Sequence, residues 1–365
     1  MSYLSCGFSA GADMAGWNRV SNTMVCRPFV FLIISLFLCA PATADTGLRF
    51  GTVFSPGTST FRMLVDACRR IEEETNRAVT IDIRPSGGFG KPTELLKMVD
   101  SGEIEIAYTV QGYSPDRFPA SSVMELPLIR RSAVAGTRAI WDLHESGALA
   151  GDYAGLKVVG LWTLPAYGIF TASRPLQGPR DLRGLRVRNP STTVGRALAK
   201  LGMVPVALPL NGMGTGLKER MIDGISYGWY SSTTTAGADN QPLMAQLTYL
   251  LDINFSGPVV MLAMRQPVFD ALPDPVKAAF DRHLGKAISL AIAEERDAAE
   301  EEVKAKLAAD GTHKVVRFTP DQMQDVRGEL EDVYDDWVAG ITRQGVDGRR
   351  LLERARQAVA AHEKP

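Results

Sequence analysis

The sequence predicts an α/β protein of two lobes braced by a long helix, and three observations carry that prediction. From Leu48 onward, short strand-like runs alternate with helical ones, the pattern of βα units and a largely parallel sheet. The alternation occurs twice, the two sets being joined by the Pro- and Gly-rich stretch TASRPLQGPRDLRG, residues 171–184. Late in the chain Val276, Phe280, Leu284, Ile288 and Ile292 recur at intervals of four, with Val303 and Leu307 beyond, and no Pro or Gly falls between Lys286 and Asp310. One helix of roughly 30 residues would reach about 45 Å at about 1.5 Å per residue, longer than one lobe.

In order, the first set reads as a strand at 48–54, a helix at 58–74 and a strand at 79–84. A short helix at 93–101 is stopped by Gly102, and a strand follows at 104–110. A further helix carries 141–148, and 156–162 reads as a strand. The second set runs strand 185–188, helix 193–201, strand 204–207, helix 216–221 and strand 224–227. Beyond the long helix, Met323, Val326, Leu330, Val333, Trp337, Val338 and Ile341 mark an amphipathic helix, and 348–362 a last polar one.

Residues 24–44, MVCRPFVFLIISLFLCAPATA, have a basic start at Arg27, an apolar stretch from 29 to 40 and a small-x-small site at Ala42-Thr43-Ala44. That is the layout of a secretory signal peptide cleaved near Ala44, and the apolar stretch is short of the about 20 residues of a membrane anchor. Met24 is an alternative start to Met1. Cys39 follows Leu38 rather than a small residue, which argues against a lipid anchor. Three of the four cysteines precede residue 45, leaving Cys68 without an internal disulfide partner. With 40 basic and 41 acidic residues the chain has no basic stripe for nucleic acid, and no later segment approaches a membrane span.

The chemistry of catalysis is missing from the motifs. His144, His283, His313 and His362 stand apart with no ligand spacing that suits a metal, and no nucleophile elbow occurs. PSGGFGKPT has Pro85 where a phosphate loop needs its first Gly and Pro92 where it needs a hydroxyl. NGMGTGLKE has Leu217 where a dinucleotide fingerprint needs its third Gly. Neither a cofactor nor a metal is expected. A binding protein needs none of this chemistry.

DLRGLRVRNPST, residues 181–192, raises a different question, since three arginines fall within six positions of a strand-like run. Strand periodicity puts Arg186 and Arg188 on one face. They can be solvated, paired with acids of the same fold, or aimed at an anion from outside.

DLRGLRVRNPS, then LAKLGMVPVALPL, then ERMIDGISYG, resembles the signature of the DctP-type substrate-binding proteins of TRAP (tripartite ATP-independent periplasmic) transporters. VDSGEIEIAYTVQGY and VMELPLI are similar to that family's earlier stretches. The resemblance covers about 47–340. It implies a two-lobe, hinge-closing periplasmic-binding-protein fold of type II, with an organic acid in the cleft and Arg188 clamping its carboxylate. It divides the chain into an N-terminal extension and signal peptide (1–44), lobe I (45–168 and 255–275), lobe II (169–254), a lobe-spanning helix (276–310) and C-terminal helices packing on the lobes (311–365). Where sialic-acid-specific members carry another arginine this chain has Ile169. Where many members continue with a polar run it has Ser226 and Tyr227, with Trp229 close behind. These departures point away from sialic acid and from a dicarboxylate held by two arginine clamps. Aromatics at predicted strand ends favour a monocarboxylate with an apolar or aromatic body. The expected site is Arg188, Tyr227, Trp229, Ser226, Tyr113, Trp162, Asn211 and Phe54. The expected role is a periplasmic receptor, not an enzyme, delivering its acid to the small and large TRAP membrane subunits. A ligand sensor is the alternative and an exported enzyme a distant third.

Overall fold

The computed structural model describes residues 46–114 and 116–363, so the signal peptide and its cleavage site lie outside the described residues. The first lobe is built from β1 (Thr46–Gly51), α1 (Ser59–Glu74), β2 (Val79–Arg84), α2 (Leu95–Ser101), β3 (Ile106–Val110), α3 (Ala133–Glu145) and β4 (Leu156–Thr163). The second contains β5 (Gly168–Thr171), β6 (Arg186–Asn189), α4 (Thr192–Lys200), β7 (Val204–Ala207), α5 (Met213–Lys218), β8 (Gly224–Tyr227), α6 (Trp229–Thr234) and β9 (Tyr249–Leu251). The chain then returns through β10 (Val259–Arg265), α7 (Gln266–Asp270), α8 (Asp274–His283), α9 (Gly285–Ala309), β11 (Lys314–Val316), α10 (Pro320–Thr342) and α11 (Gly348–His362). Local chemistry sets several of these boundaries. Thr58, Ser132 and Ser191 cap α1, α3 and α4 by accepting an amide hydrogen from the first turn, and Gly102 ends α2 in the left-handed region at φ 81°.

Both sheets are mixed rather than largely parallel. The orders are β2-β1-β3-β10-β4 and β11-β9-β5-β8-β6-β7, with β10 antiparallel to β3 and β4, and β5 antiparallel to β8 and β9. The cause is the double crossing between sheets. The chain leaves β4 for β5 at 164–167, ahead of the Pro- and Gly-rich stretch expected to do this, and comes back after β9, so each sheet receives a strand running against its βα units. The two crossings pair with each other as a hinge. Tyr167 N donates to Ser256 O at 2.6 Å, Phe255 N to Tyr167 O at 2.9 Å and Leu164 N to Pro258 O at 3.1 Å.

The long helical run is broken once, at Leu284–Gly285, where Leu284 has φ −115° and ψ −141° and Gly285 sits at φ +61°. Val276, Phe280, Leu284, Ile288 and Ile292 nonetheless enter one core with Phe50 and Leu262, which is why their four-residue repeat reads through the break. The 25 residues of α9 extend about 37 Å and reach both lobes. Asp297 accepts from Ala133 N and Val134 N at the start of α3, at 2.7 and 2.9 Å. One turn on, Glu300 accepts from Trp229 N and Tyr230 N at the start of α6, at 2.7 and 3.1 Å. Each carboxylate thus satisfies helix-terminal amides of a different lobe. Burial pushes Glu300 up to about 7 despite these bonds.

The C-terminal helices bury the face expected of them. Val326, Leu330, Val333, Trp337 and Ile341 of α10 and Leu351, Leu352, Ala355 and Val359 of α11 pack into a core that includes Ile140 of α3 and Leu198 of α4. Cys68 is buried, and burial pushes its thiol up to about 12, so it is an inert packed residue. Among the described residues no helix is long and apolar enough to cross a membrane.

Candidate functional site

The βα units of both sheets end at the same place. The segments following the carboxyl ends of β1, β2, β3, β6, β7 and β8 converge on a cavity of about 700 Å³ between the lobes, the position where open α/β sheets hold ligands. The hinge residues Leu164, Tyr167 and Pro258 form part of its lining. At one side the lobes touch closely. A Cβ on Gly112, just after β3, would lie 2.4 Å from Ser191 Cβ and 2.7 Å from Pro190 O, so glycine is what lets the two loops meet there.

The three arginines of the 181–192 stretch have three different fates. Arg183 is exposed and reaches Glu329 at 3.2 Å. Arg186 forms a fork on Asp223, Nη2 to Oδ1 at 2.8 Å and Nε to Oδ2 at 3.1 Å. Arg188 is 1% exposed and has no carboxylate partner among the described residues. Its Nε donates to Leu208 O at 2.9 Å and its Nη1, more loosely, to Ser226 O at 3.4 Å, and the side chain lines the cavity beside Tyr113. Two carbonyl oxygens orient this guanidinium without neutralising it.

Around Arg188 stands a wall of phenols. Tyr108, Tyr113, Tyr167 and Tyr227 all line the cavity, with Phe54 edge-on to Tyr108 at 4.6 Å and Tyr167 to Tyr227 at 5.4 Å. The Arg188 guanidinium carbon lies 5.7 Å from the centre of the Tyr227 ring. Tyr227 Oη meets Thr235 Oγ1 at 2.9 Å, whereas Tyr113 Oη is buried close to Arg188 and the Leu210 backbone without a hydrogen bond of good geometry. Burial raises all four phenols, and the Arg188 charge opposes that rise at Tyr113, Tyr167 and Tyr227. Ser231, Thr234 and Thr235 add hydroxyl groups from the lobe II side.

Of the residues expected from sequence, Arg188, Tyr113, Tyr227, Asn211 and Phe54 line the cavity, Asn211 as an exposed residue. Three do not. Ser226 precedes Tyr227 on β8 and therefore faces the other side of the strand. It is fully buried, and only its backbone carbonyl serves the site. Trp229 packs beneath α6 against Phe170, ring centres 4.8 Å apart. Trp162 is fully buried behind Tyr108 at 5.8 Å, its indole N–H without a partner. Of the two glycine clusters, PSGGFGKPT contributes Ser86, Gly87, Gly90, Lys91 and Pro92, while NGMGTGLKE contributes Asn211 alone.

The sequence reading passed over Tyr108, in mid-strand, and Arg296, in the acidic run EERDAAEEE of α9. Arg296 lines the cavity and is 5% exposed. A signal for it existed. The buried positions Ile288 and Ile292 continue at the same spacing of four to Arg296 and Glu300, both buried, so this charged stretch carries the helix's inward face.

The chain is 23% identical over 336 residues to an outer membrane transporter protein, TsaT, of Comamonas testosteroni, covering 91% of this chain and 96% of that protein. Its fold superposes with a TM-score of 0.80 on a marine metagenome TRAP solute-binding protein specific for aromatic acid ligands, solved with metahydroxyphenylacetate. The two are 22% identical, over 88% of this chain and all of that one. A TRAP solute-binding protein of Rhodoferax ferrireducens, solved with copurified benzoate, gives a TM-score of 0.79 at 23% identity over 87% and 98% of the two chains. The family model described as DctP, bacterial extracellular solute-binding protein, family 7, matches residues 50–340, and the chain belongs to that family of solute receptors, which are not enzymes.

Proposed function

We propose that this protein is the periplasmic receptor of a TRAP transporter, that it binds a monocarboxylate with an aromatic body between its lobes, and that it hands this acid to the small and large membrane subunits. The observation that carries the reading is Arg188, a buried guanidinium fixed by two carbonyl oxygens and left without a carboxylate of its own. A guanidinium fork suits a carboxylate through charge-assisted hydrogen bonds, and the hydroxyl of Tyr113 beside it supplies a further donor. The phenol wall and Phe54 make the rest of the site largely apolar with a few placed polar groups, as small-molecule sites usually are. The aromatic acids bound by the two TRAP relatives fit such a wall.

Titration calorimetry with benzoate and benzamide tests this directly, together with mass spectrometry of whatever acid is released from gently purified protein. Benzoate should bind and its neutral isostere should bind at least tenfold more weakly, since only the acid offers Arg188 a negative charge. Equal affinity for the pair would remove Arg188 from the role of anion clamp.

A further inference from the structure

The cavity holds a second guanidinium, and its surroundings differ from those of Arg188. Arg296 Nη2 donates to Thr60 Oγ1 at 2.5 Å, Nε faces Glu295 Oε2 at 3.6 Å without a hydrogen bond of good geometry, and the guanidinium carbon lies 4.7 Å from the Tyr230 ring centre. No protein acceptor among the described residues takes Nη1. Glu295 in turn is fixed through Oε1, which accepts from Ser59 Oγ at 2.7 Å. The side chain is therefore held from three sides at the base of α1, with Nη1 still free to donate. The cavity has two poles: the Arg188 charge acts on Tyr113 and Tyr167, the Arg296 charge on Tyr108, and both act on Tyr227 between them.

We infer that Arg296 receives a neutral oxygen acceptor, a hydroxyl or carbonyl, at the end of the ligand remote from its carboxylate, so that the preferred ligand is a hydroxy- or oxo-substituted aromatic monocarboxylate. This rests on the proposed acid-receptor reading and adds to it the second point of attachment. Charge decides that the second group is neutral. Arg188 has no counterion, so one carboxylate completes it. Arg296 already has the Glu295 carboxylate beside it, so a second anion at this pole meets a site that is already balanced. A hydroxyl or carbonyl oxygen takes the spare N–H without adding charge, and a ligand lacking it leaves a buried donor unpaired.

The test is calorimetry on the wild type, Arg296→Met and Arg296→Lys, with benzoate, 3-hydroxybenzoate, 4-hydroxybenzoate, 4-hydroxyphenylacetate and benzene-1,4-dicarboxylate as probes. In the wild type at least one hydroxylated acid should bind at least fivefold more tightly than benzoate, and the dicarboxylate more weakly than that acid. In Arg296→Met the hydroxyl advantage, read as the ratio of the two affinities, should fall within twofold whatever happens to benzoate itself. Arg296→Lys, which keeps a charge beside Glu295 and so guards against misfolding, should lose most of the advantage because the fork is gone. Thermal melts establish that each variant is folded. A wild type that binds benzoate but gains nothing from any hydroxyl, a gain that survives both substitutions, or a preference for the dicarboxylate would each overturn the inference and leave the receptor reading standing. Failure of every acid, benzoate included, would overturn both.

Discussion

The two walls of the cleft are made differently. Deep in the cleft lobe I presents Val53, Phe54, Tyr108, Val110 and Tyr113, a mainly apolar and aromatic surface on and after β1 and β3, with polar Ser55, Thr58, Ser86, Lys91 and Glu94 in the loops beyond. Lobe II faces it with Arg188, Asn211, Ser231, Thr234 and Thr235, and its one large ring, Tyr227, has its hydroxyl tied to Thr235. One wall offers area and the other direction. Area binds any flat apolar body in proportion to what it buries, whereas an oriented guanidinium demands charge at a particular point. A receptor built this way separates the two halves of its specificity, so substitutions on the two walls should have different signatures.

The largest effect belongs to the polar wall. Arg188→Ala should weaken every acid together, aromatic or aliphatic, by tenfold or more. Truncating one member of a buried charge pair costs about 2 to 5 kcal/mol, and each 1.4 kcal/mol or so is a factor of about ten. Arg188→Lys should recover only part, because an ammonium restores charge without the planar fork that Leu208 O and Ser226 O now orient. Calorimetry on folded variants reads both. A loss confined to aromatic acids would show that Arg188 supports the phenol wall rather than the carboxylate.

A smaller and selective effect is expected on the other wall. Phe54→Ala removes a half-buried ring that meets Tyr108 edge-on at 4.6 Å, and aromatic contacts of this kind contribute about 0.5 to 1.5 kcal/mol beyond area. Benzoate affinity should fall roughly three- to tenfold, while lactate or pyruvate, too small to span the cleft, should change less than twofold. Equal losses for both classes would mean that the ring holds the loop after β1 in place instead of touching ligand.

How much of this was legible beforehand follows from the range of each signal. The βα units of both lobes, α11 to the residue, and Arg188 were readable because strand alternation, helix periodicity and a short motif are local. The return strand β10 was not assigned, because VVMLAMR is apolar on both faces and carries no period; its burial between β3 and β4 is a consequence of tertiary pairing. Trp229 and Trp162 were placed by size and nearness to strand ends, and size equally suits the core that claims them. Arg296 was hidden by its acidic neighbours, and only extending the stripe past Ile292 reveals that it turns inward. The hinge pairing of Tyr167 with Phe255 and Ser256 joins segments far apart in sequence, which no local pattern records.

The smallest effect should come from the arginine two positions before the proposed clamp, and it is the sharpest control. Arg186 and Arg188 share a strand face but stand about 6.6 Å apart along it. Asp223, which precedes β8, lies beside the amino end of β6 and takes Arg186 by side chain and backbone amide together. Its hydrogen bonds from Arg186 hold the Asp223 carboxyl below the usual carboxylate range, burial opposing them. A carboxyl whose pKa is lowered by folding adds stability above its unfolded value, near pH 4, and loses that contribution as pH falls through the folded value. Arg186→Ala should therefore lower the melting temperature at pH 7, with the gap to wild type closing on acidification as Asp223 protonates. The same variant should bind benzoate within twofold of wild type, because its guanidinium is occupied by Asp223 and does not line the cavity. An affinity loss comparable to that of Arg188→Ala would show that position along the strand does not separate the structural arginine from the ligand-facing one, and that the polar wall extends down β6 to its amino end.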